Sequence, residues 1–146
     1  NARLYISGDG PLLKELEMLR DRLGLQEKVI FTGHLSNPFY LFKQCDCFIL
    51  SSNHEGQPMV LLEALVLNKP IISTNLPGTR GILQEHDGEL VENSEAGLIQ
   101  GIEKYMKGKV VSKYFNYKAY NKQALTMFYQ EVCGESQKLM YEKNII

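Results

Sequence analysis

The sequence has little from which a metal site or a disulfide framework is built. It holds three cysteines, an odd number for paired bridges, with Cys45 and Cys47 close together and Cys133 remote. Zinc sites use Cys-x-x-Cys pairs or two histidines at helical spacing, whereas His34, His54 and His86 are scattered singly. No Asp-x-Asp pair is present to hold a divalent cation. The cysteines therefore read as small buried thiols in a reducing cytoplasm. An excess of one charge is also lacking: 16 Lys and Arg against 17 Asp and Glu leave a formal net charge of −1. A non-specific nucleic-acid binder needs a strongly basic face, so nucleic acid is not an expected partner. No apolar run approaches the ~18 residues of a membrane span, and no signal-peptide pattern opens the chain. Internal repeats and low-complexity segments are absent from the sequence.

What is present is ordinary for a soluble globular fold. The 146 residues are 44% hydrophobic and 23% charged, enough to bury one core without staples. The chain opens at Asn1-Ala2-Arg3, without Met, and enters an apolar strand at once; it reads as a domain of a longer chain. Leu4-Tyr5-Ile6 is closed by Ser7-Gly8-Asp9-Gly10-Pro11, and Leu12, Leu13, Leu16, Leu19 and Leu23 then recur at three- and four-residue spacing. That is a strand, a glycine turn and an amphipathic helix ended by Gly24. Val29–Phe31, Cys47–Leu50, Pro70–Ser73 and Leu90-Val91 read as further strands. Pro38–Gln44, Met59–Leu67 and Ala96–Met106 read as helices between and after them. Apolar strands separated by helices predict an α/β fold, a Rossmann-like parallel sheet covered on both faces. Ligands in such sheets sit beyond the carboxyl ends of the strands, which directs attention to the loops beginning at Ser7, Thr32, Ser51, Thr74 and Glu92.

From Lys107 the pattern changes. Lys107, Lys109, Lys113 and Lys118 are interleaved with Tyr114, Phe115 and Tyr117, and Leu125, Phe128 and Val132 then give a helical stripe. The lysine-rich stretch from Lys104 reads as a solvated linker into the last helices, or as a contact for an anionic membrane surface.

The segment most able to carry chemistry runs from Ser51 to Leu65. It follows a strand, opens a helix, and places two carboxylates, Glu55 and Glu63, on either side of the helix start. A helix N-terminus exposes unpaired N–H groups and a partial positive charge, a seat for phosphate. Carboxylates flanking that seat accept hydrogen bonds from sugar hydroxyls. Glu63 interrupts an otherwise apolar stretch from Met59 to Leu67, and a charge in such a run has to be paired or used. The alternative is two unrelated acids, one on a surface loop and one favoured by the helix dipole. Gly8-Asp9-Gly10 lacks the third glycine of a dinucleotide fingerprint and reads as turn chemistry. His34 and His54 could act as general bases by residue type alone; His54 sits beside Glu55, within reach of a donor, but reads first as a solvated loop residue.

Glu55 and Glu63, with seven residues between them, resemble the E-x7-E signature of group 1 retaining glycosyltransferases of the GT-B fold. Four further segments are similar to that family and stand in its order: Leu4 to Pro11, Val29-Ile30-Phe31-Thr32-Gly33, Leu67-Asn68-Lys69-Pro70-Ile71-Ile72, and Gly88-Glu89-Leu90-Val91-Glu92-Asn93. The resemblance covers roughly residues 3 to 106. The wording Glu-Gly-Gln-Pro-Met-Val-Leu-Leu-Glu most resembles modules associated with teichoic-acid-like polymer synthesis in Gram-positive bacteria.

The resemblance implies the C-terminal half of a GT-B enzyme: a nucleotide-sugar-binding domain over residues 1–106 and a helical segment over 107–146. That segment would pack on the first, or on a missing N-terminal acceptor domain. It implies that Glu63 accepts from the ribose hydroxyls and that Glu55, the catalytic candidate, touches the donor sugar. Backbone N–H groups of Gly56, Gln57, Met59 and Val60 would face sugar and phosphate, and His34 and Leu35 would lie beside the base. Pro58 departs from the family's glycine and removes one N–H donor. The family's metal-free reaction uses an Arg and a Lys expected to precede Asn1; Arg80, in the Pro77-Gly78-Thr79-Arg80-Gly81 loop, is a candidate cation here. No cofactor is expected beyond the nucleotide-sugar substrate, UDP-linked by prevalence. The whole enzyme would work in the cytoplasm, in surface-polysaccharide or wall-polymer synthesis, with peripheral association at the inner face of the membrane. Two other readings stay open: a nucleotide-sugar epimerase of the same architecture, and a module that binds nucleotide or a partner without catalysis.

Overall fold

The computed structural model describes residues 2–86 and 88–133. The expected final segment from Glu135 and the side chains of His86, Val132 and Cys133 lie outside the described residues. The chain divides into two compact units, Asn1–Cys45 and Asp46–Ile146.

In the first unit, β1 (Leu4–Ser7) pairs in parallel with β2 (Val29–Gly33). Between them runs α1 (Leu13–Arg22), and α2 (Pro38–Gln44) follows β2. Pro38 stands at the first turn of α2, where its missing N–H costs nothing, and the Asn37 side chain accepts from Phe39 N at 3.2 Å. The stop of α1 follows from Gly24, whose φ is +65°. That left-handed residue lets Gly24 N donate to Asp21 O and Leu25 N donate to Arg20 O, which satisfies two carbonyls the helix would otherwise leave open.

In the second unit, β3 (Phe48–Leu50), β4 (Ile71–Thr74) and β5 (Glu89–Val91) form a sheet in the order β3-β4-β5, every pairing parallel. Three helices belong to this sheet: α3 (Met59–Val66), α4 (Pro77–His86) and α5 (Glu95–Met106). Successive strand residues point to opposite faces. Ile71 and Ile72 are nonetheless both fully buried, so the sheet is covered on both sides. On one side Ile72 and Val91 join Val110, Ile49 and Leu98 in a cluster, and α5 approaches them through a residue without a side chain. A Cβ on Gly101 would stand 2.8 Å from both Ile72 Cγ2 and Val91 Cγ1. The rest of the core holds Leu61, Ala64 and Leu65 of α3 and Ile82 and Leu83 of α4.

All five expected strands and all four expected helices form, with ends shifted by a residue or two. The helix α4 is a correction: its first residues, and Arg80 with them, were expected in a loop. Pro-Gly reads as a turn, but Pro77 sits at the helix start, where proline is tolerated. Thr79 then ties the turn together: its Oγ1 donates to Thr74 O at 2.6 Å and accepts from Leu76 N at 2.9 Å. In the lysine-rich stretch Lys107, Lys109, Lys113, Tyr114, Tyr117 and Lys118 are exposed as expected of a linker, while Val110 and Phe115 are buried. Beyond it α6 (Tyr117–Phe128) is capped by Asn116, whose side chain accepts from Ala119 N, and runs into one π-helical turn, Tyr129–Cys133.

Cys45 and Cys47 are not joined in a disulfide, and each is half-buried. Burial, reinforced by the Asp46 carboxylate, pushes the Cys47 thiol up to about 11, so it stays protonated and inert near neutrality.

Candidate functional site

The site grows from the carboxyl ends of β3 and β4, both in the second unit. Beyond Leu50 the chain leaves the sheet as the loop 51–58 and re-enters regular structure at Met59. The loop is pinned from below. Thr74, fully buried at the end of β4, donates from Oγ1 to Ser52 O at 2.7 Å. Ser52 in turn donates from its own Oγ to Glu55 Oε1 at 2.6 Å. A hydroxyl-to-carboxylate bond this short is charge-assisted, and it fixes the orientation of the half-buried Glu55 side chain.

The start of α4 closes the other side. A Cβ on Gly78 would stand 2.7 Å from Glu55 O and closer still to Gly56 O. Only glycine permits the α4 backbone to lie this near the loop. Between the two segments opens a pocket of about 400 Å³ lined by Asn53, His54, Glu55, Gly56, Leu76 and Pro77.

The neighbouring helix end supplies the electrostatics. Pro58, buried, is the N-cap of α3, and no side chain caps this end. Leu61 N donates to Pro58 O at 3.0 Å, while the N–H groups of Met59 and Val60 have no partner among the described residues. Pro58 therefore removes its own donor and leaves two others free at the positive end of the helix dipole.

Glu63 lies one turn further along α3 and is not among the residues that line the pocket. It is half-buried, between the half-buried Leu62 and the fully buried Ala64, and has no hydrogen bond or ion pair among the described residues. A carboxylate held partly out of water without a partner keeps its capacity to accept.

The remaining expected residues are distributed as follows. Gly56, in the pocket wall, and Gln57 are exposed, Met59 is exposed at the first position of α3, and Val60 is half-buried. Arg80 lies on α4, exposed, with its Nε donating to Asn75 Oδ1 at 2.9 Å. His34, exposed, and Leu35, half-buried, follow β2 in the first unit. Sequence reasoning missed Ser52, Thr74, Thr79 and Gly78. The signal available for Thr79 was the Pro at the helix start two residues before it; nothing in the sequence pointed to Ser52. Among the described residues no group of three or more His, Cys, Asp or Glu is gathered to hold a metal ion. Nor, among them, is any helix long and apolar enough to cross a membrane.

The chain is similar to known proteins in sequence and in fold. The family model for glycosyl transferases group 1 matches residues 1–122. An uncharacterized glycosyltransferase of Methanocaldococcus jannaschii is 46% identical over 84 residues, which are 57% of this chain and 21% of that protein. A lipopolysaccharide outer core galactosyltransferase solved in its apo form superimposes with a TM-score of 0.63 at 29% identity, over 77% of this chain and 33% of the other. An Anabaena protein solved with UDP superimposes with a TM-score of 0.60 at 26% identity, over 75% and 33%. The chain thus spans about a fifth to a third of the length of these proteins, 21% to 33%. The parallel α/β architecture is that of the GT-B glycosyltransferases. By sequence match and by architecture alike, the chain belongs to group 1 of the glycosyl transferases.

Proposed function

We propose that this chain is the donor-binding part of a retaining glycosyltransferase that moves a sugar from a nucleotide-sugar, UDP-linked, to an acceptor held by another domain. The observation that carries the reading is the pairing of two acceptors with one set of donors. Glu55 is oriented by Ser52 at the pocket, Glu63 stands unpaired on α3, and the free N–H groups of Met59 and Val60 lie between them in the chain.

In this reading the diphosphate sits against the N–H groups of Met59 and Val60, with Gly56 and Gln57 adding backbone donors toward the sugar. The helix end stabilises the charge that grows on the leaving nucleoside diphosphate. Glu63 accepts from the two ribose hydroxyls, and Glu55 from donor-sugar hydroxyls beside the bond that breaks. Arg80 is one helical turn from Leu76 of the pocket and supplies a cation once its tie to Asn75 is released. The names of similar proteins, one a lipopolysaccharide galactosyltransferase and one solved with UDP, support a UDP-sugar and a role in bacterial surface polysaccharide synthesis.

The test is a transfer assay on the full-length enzyme that contains this chain and its acceptor domain, since the chain by itself is expected to transfer no sugar, with the product's anomeric configuration read by NMR. The configuration of the donor is expected in the product, and an inverted product contradicts the retaining assignment. In the same assay Glu55→Ala is expected to lower kcat by roughly 10²-fold or more, while affinity for the nucleoside diphosphate, which lacks the sugar, stays nearly unchanged. Equal losses in both would remove the sugar-contact role.

A further inference from the structure

We propose that the sugar of the donor carries an acetamido group, seated in the pocket between Asn53 and His54 on one wall and Leu76 and Pro77 on the other. The inference rests on the donor-site reading above and names the class of sugar that the site takes.

The first observation is a wall that offers only carbon. Leu76 and Pro77 line the pocket on the side of α4. The backbone of Leu76 is used within its own turn: its N–H donates to Thr79 Oγ1 at 2.9 Å, and its carbonyl accepts from Arg80 N at 2.9 Å. Pro77 has no N–H to offer. A sugar hydroxyl turned toward this wall would leave water and find no partner, which is unfavourable. A methyl group turned toward it buries apolar surface without that cost.

The second observation is the chemistry of the facing wall. Glu55, held by Ser52, only accepts when ionised, and so suits the hydroxyls of the sugar. Beside it Asn53 and His54 are exposed and have no hydrogen bond among the described residues. A carboxamide both donates and accepts, and so does a neutral imidazole. Together the two side chains can pair both the N–H and the C=O of a secondary amide, whose methyl then lies toward Leu76 and Pro77. A few polar groups facing an apolar wall are the usual makings of a site that selects one substituent.

The third observation is charge. No Lys or Arg lines the pocket, whereas Glu55 does, and Arg80 is tied to Asn75. The carboxylate of a uronic acid would meet a like charge there. A 6-deoxy sugar also brings a methyl group, but it gives Asn53 and His54 no amide to hold. The lining as a whole therefore selects a neutral acetamido sugar.

The test is calorimetric titration of the full-length enzyme that contains this chain, with UDP and with donors paired by ring configuration. UDP-N-acetylglucosamine is compared with UDP-glucose, and UDP-N-acetylgalactosamine with UDP-galactose. In at least one pair the acetamido donor is expected to bind roughly 10-fold or more tightly than its hydroxyl counterpart. Leu76→Ser and Asn53→Ala are each expected to cut that preference several-fold, with circular dichroism confirming that each variant keeps its fold. No preference in either pair, while UDP binds, overturns the inference and leaves the donor-site reading standing. Tighter binding of UDP-glucuronic acid or UDP-6-deoxyglucose than of the acetamido donors, or a preference that either variant keeps in full, overturns it in the same way. Failure of UDP itself to bind overturns the donor-site reading and this inference with it.

Discussion

The residue on which the site turns is Ser52, half-buried and invisible as a motif. Its hydroxyl holds Glu55, its carbonyl is held by Thr74, and so the end of β4 fixes the orientation of a carboxylate in the next loop. A hydrogen bond to a charged group is worth about 1.5–3 kcal/mol. Ser52→Ala is therefore expected to reduce kcat by roughly 10- to 100-fold while leaving nucleoside diphosphate affinity close to that of the unaltered protein. Ser52→Thr, which keeps the hydroxyl, is expected to restore much of the loss; steady-state kinetics with parallel calorimetry check both. Glu63 was legible from sequence because a charge inside Met59–Leu67 violates the apolar pattern, and Glu55 through its seven-residue spacing from Glu63. Ser52 was not, because a serine after a strand violates nothing.

Among the elements, α4 decides the shape of the pocket. Its approach to the loop at Glu55 and Gly56 depends on Gly78, and its first turn depends on the Thr79 hydroxyl. Gly78→Ala forces a methyl against two backbone carbonyls that have no rotamer to escape by. Overpacking of this kind costs about 1–3 kcal/mol, and part of it is expected as displacement of the Glu55 loop. The expected outcome is a lowered melting temperature together with a fall in kcat, measured by thermal unfolding and kinetics. A variant as stable and as active as the original would show that the approach is not needed. The helix itself was not legible, because Pro77-Gly78 and Gly81 are turn residues in isolation. Tertiary contact overrides that preference, since the glycine serves the close approach rather than a turn. By contrast α1 was legible to its last residue: Gly24 supplies the left-handed conformation in which a helix stops. Asn68 after α3 and Gly108 after α5 do the same, at φ +51° and +69°.

For the whole molecule, the parallel α/β class was readable because short apolar strands alternate with helices, and that alternation admits few topologies. Strand existence is carried by local pattern; the division after Cys45 is a long-range property with no local mark. The central claim is that the loop 51–58 and the start of α3 hold the nucleotide of the donor. A carboxylate bridging two ribose hydroxyls makes charge-assisted bonds, so Glu63→Gln is expected to weaken nucleotide binding by about 1–3 kcal/mol. The most direct measurement is a titration of the protein with UDP, followed by backbone amide shifts and by calorimetry, for the unaltered chain and for Glu63→Gln. Saturable shifts centred on Gly56, Met59 and Val60, with affinity lowered roughly 5- to 150-fold in the variant, are the predicted result. Shifts that avoid those amides, or an unchanged affinity in a folded Glu63→Gln protein, would contradict the account.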